Sequence, residues 1–300
     1  MKLDGILPLK VSGSYGTEDL ARADILMASL SAFGDRQLFG TFLVVAPDEE
    51  VEQVRAHLST WKTLPIHVTS ESVLAPELQN YPRLRGWRKQ QILKLAAPRM
   101  LANPFFITFD ADVFCTRPVT VSDLCPGDKA LIQYENRSLH PKWWASSARI
   151  LGVSPEVGDP VRGMSITPAI LSREICMSLT SELTPRRGTW IDRLCRLHRP
   201  THPSNWTLGR LLRSKWTEYS LYYLHGASTG MIDEFHVECG TSQCAQTLLG
   251  HEAHPFEHWQ PAFTFGPDNP ALFCLVGSKT GLPASAVWDK VQQFLPSGLE

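Results

Sequence analysis

The sequence predicts an α/β protein with a mixed, mostly parallel central sheet flanked by helices, and a second half elaborated by loops. Two observations carry this prediction. Short apolar runs alternate with longer segments whose apolar residues recur every three or four positions, the order that strand–helix–strand units produce. Some of those runs, such as FFITF at Phe105–Phe109, are apolar on both sides, as strands covered by helices on both faces must be. Composition agrees, since 300 residues that are 43% hydrophobic and 20% charged can bury a sizeable core.

Ile6–Val11 reads as the first strand, followed by the polar, glycine-rich turn SGSYG (Ser12–Gly16). Asp19–Phe33 then shows helical spacing through Leu20, Ala23, Leu26, Met27 and Leu30. TFLVVAPDE is a second strand closed by a Pro-Asp turn, Glu49–Leu58 a helix, and Leu64–Val68 a third strand. GWRKQQILKLAAPRML (Gly86–Leu101) is a helix with Ile92, Leu95, Ala96 and Arg99 on one side, and Phe105–Phe109 is the next strand. Beyond it, ALIQYE and GMSITPAIL have strand character, Ile170–Leu183 and Trp206–Leu224 read as helices, ALFCLVGS is a late strand, and Ala284–Phe294 a closing helix. No linker composition interrupts the chain, so residues 1–300 are expected to form one domain, with a first half at about 1–120 and a second at 121–300.

Bulk properties exclude several classes of function. A balance of 29 basic against 30 acidic residues provides no broad cationic field for nucleic acid. The seven cysteines are scattered without a CxxC pair, a pattern of reduced thiols and a cytoplasmic location rather than a disulfide scaffold. No apolar run is long enough to span a bilayer, although peripheral contact with the inner face of the membrane stays open. His251, His254 and His258 in HEAHPFEHW invite a zinc reading, but Pro255 breaks the helical spacing that paired ligands use. In a cytoplasmic chain the sequons at Asn136 and Asn205 are chance matches.

The run FFITFDADVF holds the chemistry. Two carboxylates, Asp110 and Asp112, interrupt a segment otherwise fit only for a core, and buried charge needs a cation, donors or water. Residues i and i+2 of an extended chain share a side, and parallel sheets bind ligands beyond the carboxyl ends of their strands. The pair therefore suits a hard divalent cation such as Mg²⁺ or Mn²⁺. Two other readings compete: acids that cap a turn or pair with Arg117, and the nucleophile and acid/base of a haloacid-dehalogenase-like phosphatase, whose pattern ITFDADV also matches. Gln90 and Lys94 lie one helical turn apart on GWRKQQILKL with Trp87 a turn earlier, and Lys94 as a point charge is expected to reach a diphosphate oxygen. Arg88 and Lys89 are expected on the solvated face. Ser12 and Tyr15 in SGSYG are expected to cradle and stack on a nucleotide base.

FFITFDADVF resembles the DxD motif of GT-A-fold nucleotide-sugar glycosyltransferases. The order of "LPL" with a polar turn, RADILMASL, GWRKQQILKL, the DxD strand, ITPAILS and KWTEYSLY is similar to a bacterial group of such enzymes across most of residues 3 to 280. The resemblance implies that Asp112 coordinates a Mn²⁺ or Mg²⁺ ion bridging a UDP- or GDP-sugar diphosphate, with Asp110 on the ribose or a metal-bound water. It implies that Glu218 in KWTEYSLYY is the base for the acceptor hydroxyl, with Asp233 and Glu234 in reserve. It places Gly163 beneath the donor sugar, and Ser278 and Lys279 of VGSKTG at the metal shell and diphosphate. The acceptor it implies is a glycan or lipid-linked glycan of surface polysaccharide synthesis, bound by the second half. A carbohydrate-binding scaffold without turnover is the non-enzymatic alternative.

Overall fold

Leu3–Pro8 (β1) is buried along its whole length, the property of a strand with neighbours on both edges and helices on both faces. The computed structural model describes residues 1–11, 18–197, 215–242, 244–277 and 280–296. In it β1 pairs in parallel with Phe39–Ala46 (β2) on one side, and β2 with Ile66–Ser70 (β3). On its other edge β1 pairs in parallel with Phe105–Thr108 (β4). Val113–Cys115 (β5), Ala130–Ile132 (β6), Glu135–Asn136 (β7) and Arg162–Gly163 (β8) follow, and Ala169–Ser172 (β9) closes the main sheet antiparallel to β4. The strand order β3-β2-β1-β4-β9 is the mixed, mostly parallel sheet that the alternation predicts. His236–Glu238 (β10) pairs with β6, while Thr247–Gly250 (β11) and Ala271–Leu275 (β12) extend a second sheet to β5.

Alternation along the strands sorts the core into two layers. Ile6, Leu43, Val45 and Phe106 point to one face, and Leu3, Leu7, Phe42, Val44 and Ile107 to the other. Asp19–Phe33 (α1) and Val51–Leu58 (α2) cover the second layer. Gly86–Ala96 (α3), Pro141–Leu151 (α4), Arg173–Leu183 (α5), Trp190–Leu197 (α6) and Glu218–Ser228 (α7) build the first. Ala284–Val291 (α8) packs against α1.

Several elements depart from expectation for identifiable reasons. The helix expected from Ile170 begins at Arg173, because Ala169–Ser172 pairs with β4 and the Ser172 hydroxyl then caps the helix at the Ile175 N–H. The helix expected from Trp206 begins, among the described residues, at Glu218, where Thr217 and Ser220 form a reciprocal capping box. Its earlier part lies outside the described residues. The α4 helix carried no prediction. Pro141 starts it, Gly152 in the left-handed region ends it, and Trp144 anchors it in the core.

Asp4 shows how this fold settles a carboxylate that is only structural. It is buried on β1 and accepts from the Thr41, Ala102 and Asn103 backbone N–H groups and the Asn103 side-chain amide, at 2.7–3.1 Å. All of its donors are protein groups, and it ties β2 and the approach to β4 onto β1.

Candidate active site

β4 ends at Thr108, so Asp110 and Asp112 stand on a turn beyond the carboxyl end of the central strand rather than within it. That turn is closed by the Val113 N–H donating to the Asp110 carbonyl, and the Val276 N–H donates to the Asp112 carbonyl at 3.0 Å. The turn is thus pinned to the end of β12. Unlike Asp4, Asp110 keeps 42% of its side chain exposed and takes its charge partner from a helix: the Lys94 ammonium at 2.8 Å. Arg117, the partner that a structural reading proposed, donates instead to the Gly266 carbonyl.

Lys94 is almost wholly enclosed, 3% of its side chain being exposed, which its place on α3 against β1 and α7 explains. Its ammonium also stands 3.5 Å from Glu218 Oε1 and 3.4 Å from the Tyr219 hydroxyl. Burial works against the ammonium, but Asp110, Tyr219 and Glu218 outweigh it and hold the pKa well above the ordinary lysine value. The ammonium is thus a clamp between two acids.

Glu218 is the first residue of α7 and is 4% exposed. Burial pushes its carboxyl above the usual range, against the pull of Lys94 and of a hydrogen bond from its own backbone N–H, with Asp110 adding to the rise. Tyr219 beside it shares hydroxyl hydrogen bonds with Thr108 at 2.7 Å and Thr167 at 3.0 Å, and burial raises its phenol to about 12. Three chain segments, at Lys94, Thr108–Asp110 and Thr217–Tyr219, therefore converge. Tyr219, Thr108 and Thr167 were missed by sequence reasoning, although a threonine ending an apolar strand next to the acid pair was a visible signal.

Arg88 corrects the expectation of a solvated basic face. It is 2% exposed, its guanidinium lying 4.1 Å over the Trp216 ring and 4.9 Å from that of Trp87. It donates to the Trp216 carbonyl and, at 2.8 Å, to Gln91 Oε1. Burial depresses its pKa to about 10, with Glu218 opposing the fall. Residue type alone predicted solvent, but a long arginine stem and a planar head can be buried between indoles. Lys89 pairs with Glu71 at 2.6 Å.

The other expected residues fall in different places. Trp87 is exposed at the start of α3, and Gln90 is half-buried one turn before Lys94. Gly163 is set by packing, since a Cβ there would stand 2.3 Å from the Trp144 ring. Asp233 and Glu234 are exposed on a short helical turn, where the Asp233 carbonyl accepts from Lys129, and no contact joins either to Lys94 or Asp110. Ser12, Tyr15, Ser278 and Lys279 lie outside the described residues.

The acid pair fits a hard cation. Asp110 and Asp112 are both half-exposed oxygen donors, one residue apart on a turn at a sheet edge. Among the described residues no three His, Cys, Asp or Glu side chains gather as a ligand set, so other positions of an octahedral shell would fall to water and ligand oxygens. The histidine-rich loop forms no such set either. His251 faces Glu135 at 3.8 Å. All seven cysteines are free, and six are buried. Among the described residues no helix is long and apolar enough to cross a membrane.

The phosphatase reading fails on topology. That fold carries its acid pair on the first strand, whereas β1 here ends in Pro8-Leu9-Lys10 and the pair follows the fourth. The fold, by its sheet order and its likeness to a solved xylosyltransferase, is that of GT-A-type glycosyltransferases. The crystal structure of mouse xyloside xylosyltransferase 1 in its apo form superposes with a TM-score of 0.53 at 11% identity, over 94% of this chain and 100% of that one. The galactosyltransferase LgtC, in complex with donor and acceptor sugar analogues, superposes with a TM-score of 0.49 at 9% identity, over 99% and 97% of the two chains. A search of curated protein sequences gives no significant match. Residues 1–299 match the model described as "Family of unknown function (DUF6492)", and the chain belongs to that family.

Proposed function

We propose that this protein is a glycosyltransferase that moves a sugar from a UDP- or GDP-sugar to a glycan or lipid-linked acceptor in surface polysaccharide synthesis. One observation carries the reading. At the carboxyl end of the central strand an enclosed lysine is clamped between a solvent-facing acid, Asp110, and a buried one, Glu218, whose pKa is raised. A purely structural acid in this fold is saturated by backbone donors, as Asp4 is. Asp110 keeps its outer side for a ligand.

The nucleotide half spans about residues 1–120, and the acceptor half 121–300. Asp110 and Asp112 would hold Mn²⁺ or Mg²⁺. When bound, the ion supplies Lewis-acid neutralisation of charge on the leaving nucleoside diphosphate. Lys94 fixes the Asp110 carboxylate through its 2.8 Å hydrogen bond and keeps a positive charge beside Glu218. Glu218, ionised, accepts the proton of the acceptor hydroxyl, and its raised pKa brings it toward the range of a useful base. Tyr219, held by Thr108 and Thr167, keeps its hydroxyl 3.4 Å from the Lys94 ammonium and so helps to hold the clamp in place.

The test is a thermal-shift panel of UDP, GDP and their sugar conjugates with and without Mn²⁺. A metal-requiring shift for one nucleotide class is the expected result, since a ligand that binds the native state raises its stability by mass action. A flat panel would sink the proposal.

A further inference from the structure

We propose that Trp87 and Trp143 form a platform for a pyranose ring of the acceptor, a saccharide subsite at the head of the helix that carries Lys94. The inference rests on the glycosyltransferase reading and moves Trp87 from the donor to the acceptor side.

Trp87 is 46% exposed, unusual for so large an apolar ring, and it heads the helix that carries Lys94. Trp143 on α4 stands 6.0 Å from it at 38°, and His140 stacks on Trp143 at 3.7 Å and 20°. Behind Trp87, the Arg88 guanidinium bridges to Trp216. The two indoles are therefore held from both ends, and a ring fixed before binding loses little entropy when a ligand stacks on it. An indole face takes the apolar C–H face of a sugar, while hydroxyls at the sugar's rim need polar partners. His140, stacked on Trp143, is one polar group at the edge of the platform.

Placement ties the platform to the transfer centre. Trp87 and Lys94 are seven residues apart on α3, so they share a side of the helix about 10 Å from each other. Trp216, which Arg88 joins to the platform, precedes Glu218 by two residues. The platform is thus linked to the proposed transfer centre through Arg88 and Trp216, which connect Trp87 to the segment that carries Glu218.

The experiment titrates the full chain with methyl β-D-glucopyranoside, methyl β-D-galactopyranoside, cellobiose and lactose, read by saturation-transfer NMR and tryptophan fluorescence. Wild type is expected to bind at least one of them. Trp87→Ala and Trp143→Ala should weaken that binding roughly ten-fold, the loss of one aromatic contact, and Trp87→Phe should restore most of it. Trp87→Phe keeps an aromatic ring beside Arg88, should melt as wild type does, and controls for any loss of fold in Trp87→Ala. Binding that Trp87→Ala leaves unaltered, or no binding of any probe by wild type, overturns the platform. A flat nucleotide panel with Trp87-dependent saccharide binding would instead overturn the transferase reading and leave the platform standing.

Discussion

The Lys94 ammonium stands 3.5 Å from Glu218 Oε1 inside the protein while donating to Asp110 at its surface, so one enclosed cation answers to two acids of different exposure. The charge of the pair is thereby coupled to the solvent-facing turn that carries Asp110 and Asp112.

Glu218→Gln keeps the shape of the side chain and the Thr217–Ser220 capping box, so folding should survive. Sugar transfer should fall by roughly 10²- to 10⁴-fold with the KM for the donor little changed, as loss of a general base requires. Donor turnover assays check this, and a Glu218→Gln enzyme with near wild-type kcat would exclude Glu218 as the base.

The raised Glu218 pKa acts on activity and stability with opposite signs. A base works ionised, so the acid limb of kcat should lie above the ordinary glutamate value of 4.5. The folded state binds this proton more tightly than the unfolded chain does. Its stabilising contribution is therefore complete below pH 4.5 and is lost as pH rises through the folded-state value. Urea midpoints measured across that window should fall with pH in the wild type, and less so in Glu218→Gln.

Lys94→Met leaves a buried carboxylate with its main partner removed, a change that costs about 3 kcal/mol when the charge is retained. Glu218 can escape part of that cost by taking a proton. The melting temperature of Lys94→Met should therefore drop more at pH 8 than at pH 5, relative to wild type, and an equal drop at both would show that Glu218 is not the group responding.

Asp112→Asn removes one of the two proposed metal oxygens without touching the Lys94 clamp. It should abolish the Mn²⁺-dependent part of the nucleotide thermal shift, read against the variant's own melting temperature without ligand. Saccharide binding that persists in this variant without any nucleotide response in wild type would favour a carbohydrate-binding scaffold.

Gly163→Ala drives a methyl group into the Trp144 ring, a contact of 2.3 Å. Overpacking of this kind typically costs about 1–3 kcal/mol. Chemical denaturation reads the loss, and an unchanged midpoint would show that the Trp144 ring can give way to a methyl group.

The sequence by itself determined the elements whose pattern is local. The Asp19–Phe33 helix, the apolar strands β2 and β4, and the acid pair at the end of the fourth strand were legible because periodicity and strand-end position are properties of a short window. Glu218 and Lys94 could be singled out by residue type and helix position. Only the tertiary structure decided that they touch, across 124 positions of chain. It likewise decided that Arg88 is buried and that the strand at Ala169 runs on to Ser172 before the helix begins, because burial of a charge and pairing of an edge depend on partners that no window contains. Local pattern specifies what a segment can be, and the neighbours that fold against it select which charge is enclosed and which faces water.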